Sequence, residues 1–194
     1  MQSSIVIVNP VTETLEDAQL VDAARDGDRT AFGLLYQRYA RVVHGILLAR
    51  VPPDEADDLT QDVFLAAIRR LRTLRDPAAF AGWLAAIARN RANDYYRRSP
   101  RHEELTEAVA DTAVQDDRPQ AEAHAALAAI RGLPDAYRET LILRLVEGLT
   151  GPEIAARTGL THGSVRVNLS RGMQMLKGKL NSEGRNQKSE KEKL

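Results

Sequence analysis

The residues best suited to chemistry in this chain are Arg166, Asn168, Ser170, Arg171 and Gln174, crowded into one short stretch. Guanidinium and amide groups reach DNA phosphates and base edges. An arginine fork fits guanine, and an amide fits adenine. Such side chains read a major groove only from one face of a helix whose other face is held. Val165, Leu169, Leu176 and Leu180 supply that held face at helical spacing, with Met173 near the seam. Thr150 and Glu153 just upstream have the spacing of a capping box. Ile154 and Ala155 give a short helix its apolar side, and Thr158-Gly159-Leu160 is a tight turn in which Gly159 takes the left-handed conformation. Thr161 then caps the second helix. Two short helices across a tight turn predict a helix-turn-helix whose second member enters the groove by its N-terminal end. An antiparallel helix pair with solvated Arg and Lys would show the same pattern.

Composition narrows the alternatives. The 194 residues suit one or two domains, and 43% hydrophobic with only 5% aromatic content points to helix rather than sheet. Lys+Arg and Asp+Glu are both 27, so the chain lacks the overall basicity of many nucleic-acid binders. The charge is unevenly placed: Asp54-Glu55 and Asp57-Asp58 are acidic, whereas 89–101 is predominantly basic. The absence of Cys excludes disulfides and a Cys-based zinc site, and fits a reducing cytoplasm. His44, His102, His124 and His162 have no ligand-like spacing, so neither metal nor cofactor is expected. No nucleophile–base pair or phosphate-cradling glycine loop suggests an enzyme. No apolar run nears the ~18 residues of a membrane span, so no membrane insertion is expected. Ile5 to Val8 is too short for a signal-peptide core.

The positioning elements are helical throughout. Residues 1–14 read as a disordered or extended tail. A helix over about 14–25 carries Leu15, Ala18, Val21 and Ala24, and Gly27-Asp28 breaks it. Thr30 is expected to cap the next helix, with Phe32, Leu35, Tyr36, Tyr39, Val43 and Ile46 inward, until Val51-Pro52-Pro53 ends it. In 54–71, Ala56, Leu59, Val63, Phe64, Ala67, Ile68 and Leu71 face inward, opposite Asp57, Asp58, Gln61 and Asp62. After a loop over 72–77, a long helix runs from Ala79 or Phe80 to about Arg98. Phe80, Leu84, Ile87, Ala88 and Tyr95 point to the core, and Trp83, Asn90, Asp94 and Arg97 share a neighbouring face. Residues 99–120 are polar and contain Pro100 and Pro119, which reads as a flexible linker. An Ala-rich helix over 121–132 precedes one opened by Leu133-Pro134, with Tyr137, Leu141, Leu145 and Val146 inward. Residues 181–194 lack core-forming side chains and read as a disordered tail. The expectation is an all-α fold: two small helical domains, 15–98 and 121–180, joined by a flexible linker, the C-terminal one a helix-turn-helix.

At this point the chain resembles the bacterial RNA polymerase sigma factors of the extracytoplasmic-function (ECF) type over about 15–180. Asp58-Leu59-Thr60-Gln61-Asp62-Val63-Phe64 resembles the family's polymerase-clamp segment, and Phe80-Ala81-Gly82-Trp83-Leu84 with Ile87-Ala88-Arg89-Asn90 its promoter-melting helix. Leu133-Pro134, Glu147-Gly148-Leu149-Thr150 and Glu153-Ile154-Ala155 resemble its C-terminal domain, and Gly163-Ser164-Val165-Arg166 the start of its recognition helix. The resemblance implies a promoter-specificity subunit in the bacterial cytoplasm that binds core RNA polymerase, recognises and melts promoter DNA, and is restrained by an anti-sigma factor. It implies clamp contact at Asp58, Gln61, Asp62 and Phe64, and minus-ten contact at Arg75, Phe80, Trp83, Asn90, Tyr96, Arg97 and Arg98. It places minus-thirty-five contact at Thr161, Ser164, Arg166, Asn168 and Arg171. Leu74, Arg75, Asp76, Ala79 and Phe80 would border a pocket for a flipped base, whose extrusion costs a few kcal/mol.

Other readings of the same residues are core packing for Trp83, local hydrogen bonding for Asn90 and a solvated face for the acidic stretch. The chain departs from the family pattern at Asn168, where Arg is common. It departs again at Gly172, which costs a helix about 1 kcal/mol relative to Ala and would be explained by close approach of a neighbouring helix. A sigma-like decoy that binds an anti-sigma protein, or a stand-alone helix-turn-helix regulator, are the alternative functions.

Overall fold

A computed structural model describes residues 10–98 and 118–191, with side chains placed for 16–97 and 125–181. The described residues form eight α-helices: α1 Pro10–Arg25, α2 Arg29–Leu48, α3 Pro53–Arg70, α4 Phe80–Arg98, α5 Arg118–Arg131, α6 Asp135–Leu145, α7 Gly151–Thr158 and α8 His162–Lys191. Two 3-10 turns, Leu71–Thr73 and Pro77–Ala79, link α3 to α4. None of the helices is long and apolar enough to cross a membrane. The order of elements and the all-helical architecture agree with the sequence expectation.

Local chemistry sets the ends. Proline is tolerated in a first helical turn, where its missing N–H would lack a partner anyway. This is why α1 starts at Pro10, so that 10–14 are helical rather than part of a tail. It also lets α5 start at Arg118 with Pro119 in its first turn, taking 118–120 out of the expected linker. The rest of that linker, 99–117, and the first nine and last three residues lie outside the described residues. Asp28, not Thr30, caps α2: its carboxylate accepts from the Thr30 and Ala31 amides at 2.8 and 3.1 Å. Helix α8 continues through Lys191, past the expected end at 180, because its Lys, Glu, Gln and Arg are good helix formers with no proline among them.

Helices α1–α4 make an N-terminal body and α5–α8 a C-terminal body. The two lie against one another, α2 and α4 of the first meeting α6 and α7 of the second, and one buried apolar cluster runs through both. This placement explains why α6 departs from its expected pattern. Leu145 and Val146 are exposed, whereas Glu139, Thr140, Leu141, Ile142 and Leu143 are all buried. A helix covered by α2 on one side and α8 on another has no single apolar stripe.

Ion pairs cross the seam. The Glu139 carboxylate, 4% exposed, accepts from Arg50 at 2.8 Å and from Arg89 at 2.7 and 3.2 Å. Arg50 also reaches Asp135 at 2.9 Å. Glu147 accepts from His44 Nδ1 at 2.7 Å, and its main-chain oxygen accepts from Arg41. The hydrogen bond to Glu147 raises the His44 pKa above its ordinary value, against the opposing effect of burial.

Candidate nucleic-acid interface

The helix-turn-helix is built as its sequence predicts. Thr150 N and Oγ1 each donate to the Glu153 carboxylate at 2.7 Å, and Glu153 N returns a long 3.4 Å bond to Thr150 Oγ1. These bonds, the backbone one foremost, hold the Glu153 carboxyl below its usual pKa. Gly159 closes α7 at φ +75°, where any Cβ would sit 3.1 Å from Gly82 Cα. Thr161 then opens α8, its hydroxyl accepting from Ser164 N at 3.1 Å and lying 2.9 Å from Ser164 Oγ.

Val165 and Leu176 are buried where α8 packs on α6 and α7, while Arg166, Ser170 and Arg171 are exposed beyond the turn. Asn168 departs from this free face. It is half-buried, and its amide donates to Thr140 Oγ1 at 3.4 Å. A Cβ at Gly172 would lie 3.1 Å from Leu141 and 3.2 Å from Tyr137 Cβ, which is the close approach expected of that glycine.

On the N-terminal body, Asn90 is exposed beside a cavity of about 220 Å³ between α3 and α4, lined also by Ala66, Arg70, Ile87, Arg91 and Asp94. Amide, guanidinium and carboxylate groups around an apolar floor can bind the edge and face of an unstacked base. Arg97 is 74% exposed and pairs with Asp94 at 3.0 Å. Tyr96 is exposed on its ring and donates to the Arg50 carbonyl at 2.8 Å. The Arg98 side chain lies outside the described ones.

Arg75 is exposed between the two 3-10 turns, and Asp76 shapes the second by accepting from Ala78 N at 3.0 Å. From beneath, the Arg25 guanidinium donates to the Leu71 carbonyl at 3.3 Å and to that of Leu74. Sequence reasoning gave Arg25 no part here, since its partners lie 46 and 49 residues away.

Two residues expected both in the core and at a contact are found in the core. Phe80 is fully buried, edge-on to Tyr39 at 5.3 Å and tilted against Trp83 at 6.0 Å. It supports the loop and the half-buried Trp83 from below. Phe64 is likewise buried, 4.6 Å from the Tyr36 ring and 6.4 Å from Phe32, because i+4 packing turns it toward α2. The exposed face of α3 is instead Asp58, Gln61 and Asp62 with Leu65 and Ile68, 51% and 46% exposed. Ile68 was expected inward. Leu65 stands three residues after Asp62 and four after Gln61, spacing that could have placed it on this face.

Comparisons with known proteins agree with this division. The sequence profile of Sigma-70 region 2 matches residues 35–102, and that of Sigma-70 region 4 matches 123–176. The ECF RNA polymerase sigma-E factor of Haemophilus influenzae is 31% identical over 185 residues, 88% of this chain and 98% of the relative. That of Escherichia coli K12 is 30% identical over 185 residues, 88% of this chain and 97% of the relative. Among solved structures, CnrH in complex with the cytosolic domain of CnrY superposes with a TM-score of 0.59 at 27% identity, covering 86% of this chain and 98% of that one.

Proposed function

The chain belongs to the ECF RNA polymerase sigma factors, and from that premise we propose how its own residues do the work. Bound to core polymerase in the cytoplasm, it selects promoters and separates their strands, and contributes recognition rather than catalysis. The C-terminal body reads the minus-thirty-five element as duplex through Thr161, Ser164, Arg166 and Arg171. Asn168 adds a base contact once its amide leaves Thr140. The N-terminal body holds the melted minus-ten strand, with Asn90 at the α3–α4 cavity, Trp83 and Tyr96 offering ring faces, and Arg75, Arg97 and Arg98 offering charge. Asp58, Gln61 and Asp62, with Leu65 and Ile68, make a mixed acidic and apolar patch for the polymerase clamp. An anti-sigma protein restrains the chain, a role supported by the similar CnrH having been solved with the cytosolic domain of CnrY bound.

The observation that carries this reading is the exposed N-terminal turn of α8, seated on α6 and presenting Arg166 and Arg171 beside a glycine-closed turn. Run-off transcription with purified core polymerase on a promoter library tests it. Transcripts starting from a defined pair of elements are expected. Attachment to polymerase without any transcript would mean a decoy instead.

A further inference from the structure

A promoter's minus-ten and minus-thirty-five elements stand roughly 25 base pairs apart, on the order of 85 Å of duplex. In this structure the two bodies that would read them are in contact. A Cβ at Gly45 on α2 would come 2.7 Å from Leu143 on α6 and 2.9 Å from Glu147 just beyond that helix, and one at Gly159 would come 3.1 Å from the Gly82 Cα. The twenty residue steps from Arg98 to Arg118 reach at most about 70 Å when extended. With the width of the bodies added, the chain spans the two elements only after the seam has parted.

Parting the seam changes one cluster most. Glu139 leaves with the C-terminal body and takes the carboxylate paired with Arg89 among the described residues, while Asp135 and Glu139 both leave Arg50. Two guanidinia then stand together on the N-terminal body. Arg50 Nε is buried and, among the described residues, has no hydrogen-bond partner even in the closed chain. Beside it lies a cavity of about 280 Å³ lined by Arg50, Ala92, Asn93 and Tyr96 from one body and Asp135 and Arg138 from the other. Arg89 and Tyr96 stand on α4, the helix that also carries Asn90 and Arg97. A pair of arginines with unused donors is a fork for an oxyanion, and the oxyanions next to a melted strand are its phosphates.

We propose that Arg50 and Arg89 form an anion site with two alternating occupants: the Glu139 carboxylate when the bodies are closed, and a DNA-backbone phosphate when they are apart. The inference rests on the sigma-factor reading above. It makes closure and promoter binding mutually exclusive through one shared pair of side chains. Glu139 keeps the site filled in the free chain and releases it where phosphate is concentrated.

The test separates opening from phosphate contact. The chain has no Cys, so Gln37→Cys and Gln174→Cys, one exposed position on each body, take a donor and acceptor dye cleanly. Gly45→Leu drives a side chain into α6 and is expected to lengthen the dye separation in the free chain. Gly82→Leu, against α7, should do the same if the first variant folds poorly. Unchanged separation in folded wedge variants would overturn the closed state.

In the Gly45→Leu background Glu139 no longer competes. Binding of a labelled promoter duplex by the reconstituted holoenzyme is then measured across a salt series, with and without Arg50→Gln and Arg89→Gln. Loss of two phosphate contacts should flatten the log–log salt slope by about 1.4 for a melted strand, and by about 1.8 if the phosphates belong to duplex. An unchanged slope would reduce the arginines to a seam contact and overturn the phosphate site. An unchanged slope with weakened attachment to core polymerase would mean they meet an acidic protein surface, and overturns it equally. Failure of the unsubstituted chain to direct core polymerase to any promoter would refute the sigma reading itself.

Discussion

Replacing Asp17 by Ala should destabilise the protein by about 3 kcal/mol, and the loss should be strongly coupled to Tyr39. Asp17 is 5% exposed; one carboxylate oxygen accepts from Arg38 and the other from the Tyr39 hydroxyl. Arg38 keeps a quarter of its side chain in solvent, so water replaces much of what it loses. Tyr39 is 2% exposed and has no such recourse. Its stranded hydroxyl costs about 1–3 kcal/mol, and the lost charge-assisted bonds supply the remainder. Tyr39→Phe alone should cost about 1 kcal/mol, because Asp17 retains Arg38. In the Asp17→Ala background, Tyr39→Phe removes the stranded donor and should be neutral or stabilising, which gives a coupling energy of roughly 1–2 kcal/mol. Urea unfolding of the four variants measures this, with the midpoint of Asp17→Ala falling by about 1.5 M at an ordinary slope. Additivity within 0.3 kcal/mol or so would show that the buried hydroxyl is not the source of the cost, and the reasoning would fail.

The capping box gives a ranked pair: Glu153→Ala should cost more than Thr150→Ala, both about 1 kcal/mol, because the two 2.7 Å bonds end on the carboxylate. Since that carboxyl is held below its ordinary 4.5, its contribution is present above that pH and lost as pH falls through the folded value. Acid titration of helicity should show this step disappear in Glu153→Ala. His44 has the opposite sign: its raised pKa makes its bond to Glu147 fully effective below 6.5 and weaker as pH rises through the folded value. Stability measured from pH 6 to 9 should fall more in the parent chain than in His44→Phe. Leu65→Arg should lower affinity for core polymerase at least tenfold in a pull-down titration and shift stability by no more than about 0.5 kcal/mol. Asn90→Ala and Arg166→Ala should each cost about 1–3 kcal/mol of discrimination at separate promoter elements, and equal losses on all sequences would mean phosphate anchoring only.

The sequence announces the helix-turn-helix because its determinants are local. Thr150 and Glu153 are three residues apart, and Gly159 and Thr161 act on their own backbone. The same holds for the proline-marked start of α3 and for Gly172, whose cost to the helix already points to a close neighbour. Helical spacing also turned Phe64 and Phe80 inward, but the rings they pack on, Tyr36 and Tyr39 of another helix, follow only from tertiary packing. Arg25, Glu139 and His44 carried no signal at all. The partners that place them in the fold are 46 to 103 residues distant, and a charged residue in a helix reads as solvated until a second surface covers it. Leu145 and Ile68 failed for the reverse reason, an apolar residue left on the rim of a helix.

Helix α6 shows what burial on two sides demands. Five consecutive residues, 139–143, are enclosed, so every direction around that turn is occupied. An ordinary surface helix can drift on its wet side without consequence. Here a change of size or polarity at any of these positions must satisfy two neighbours at once, the recognition helix and the melting domain. A saturation scan should find no permissive stripe along α6, and compensating changes should arise in both halves of the chain, so that two parts with separate tasks are bound to evolve in step.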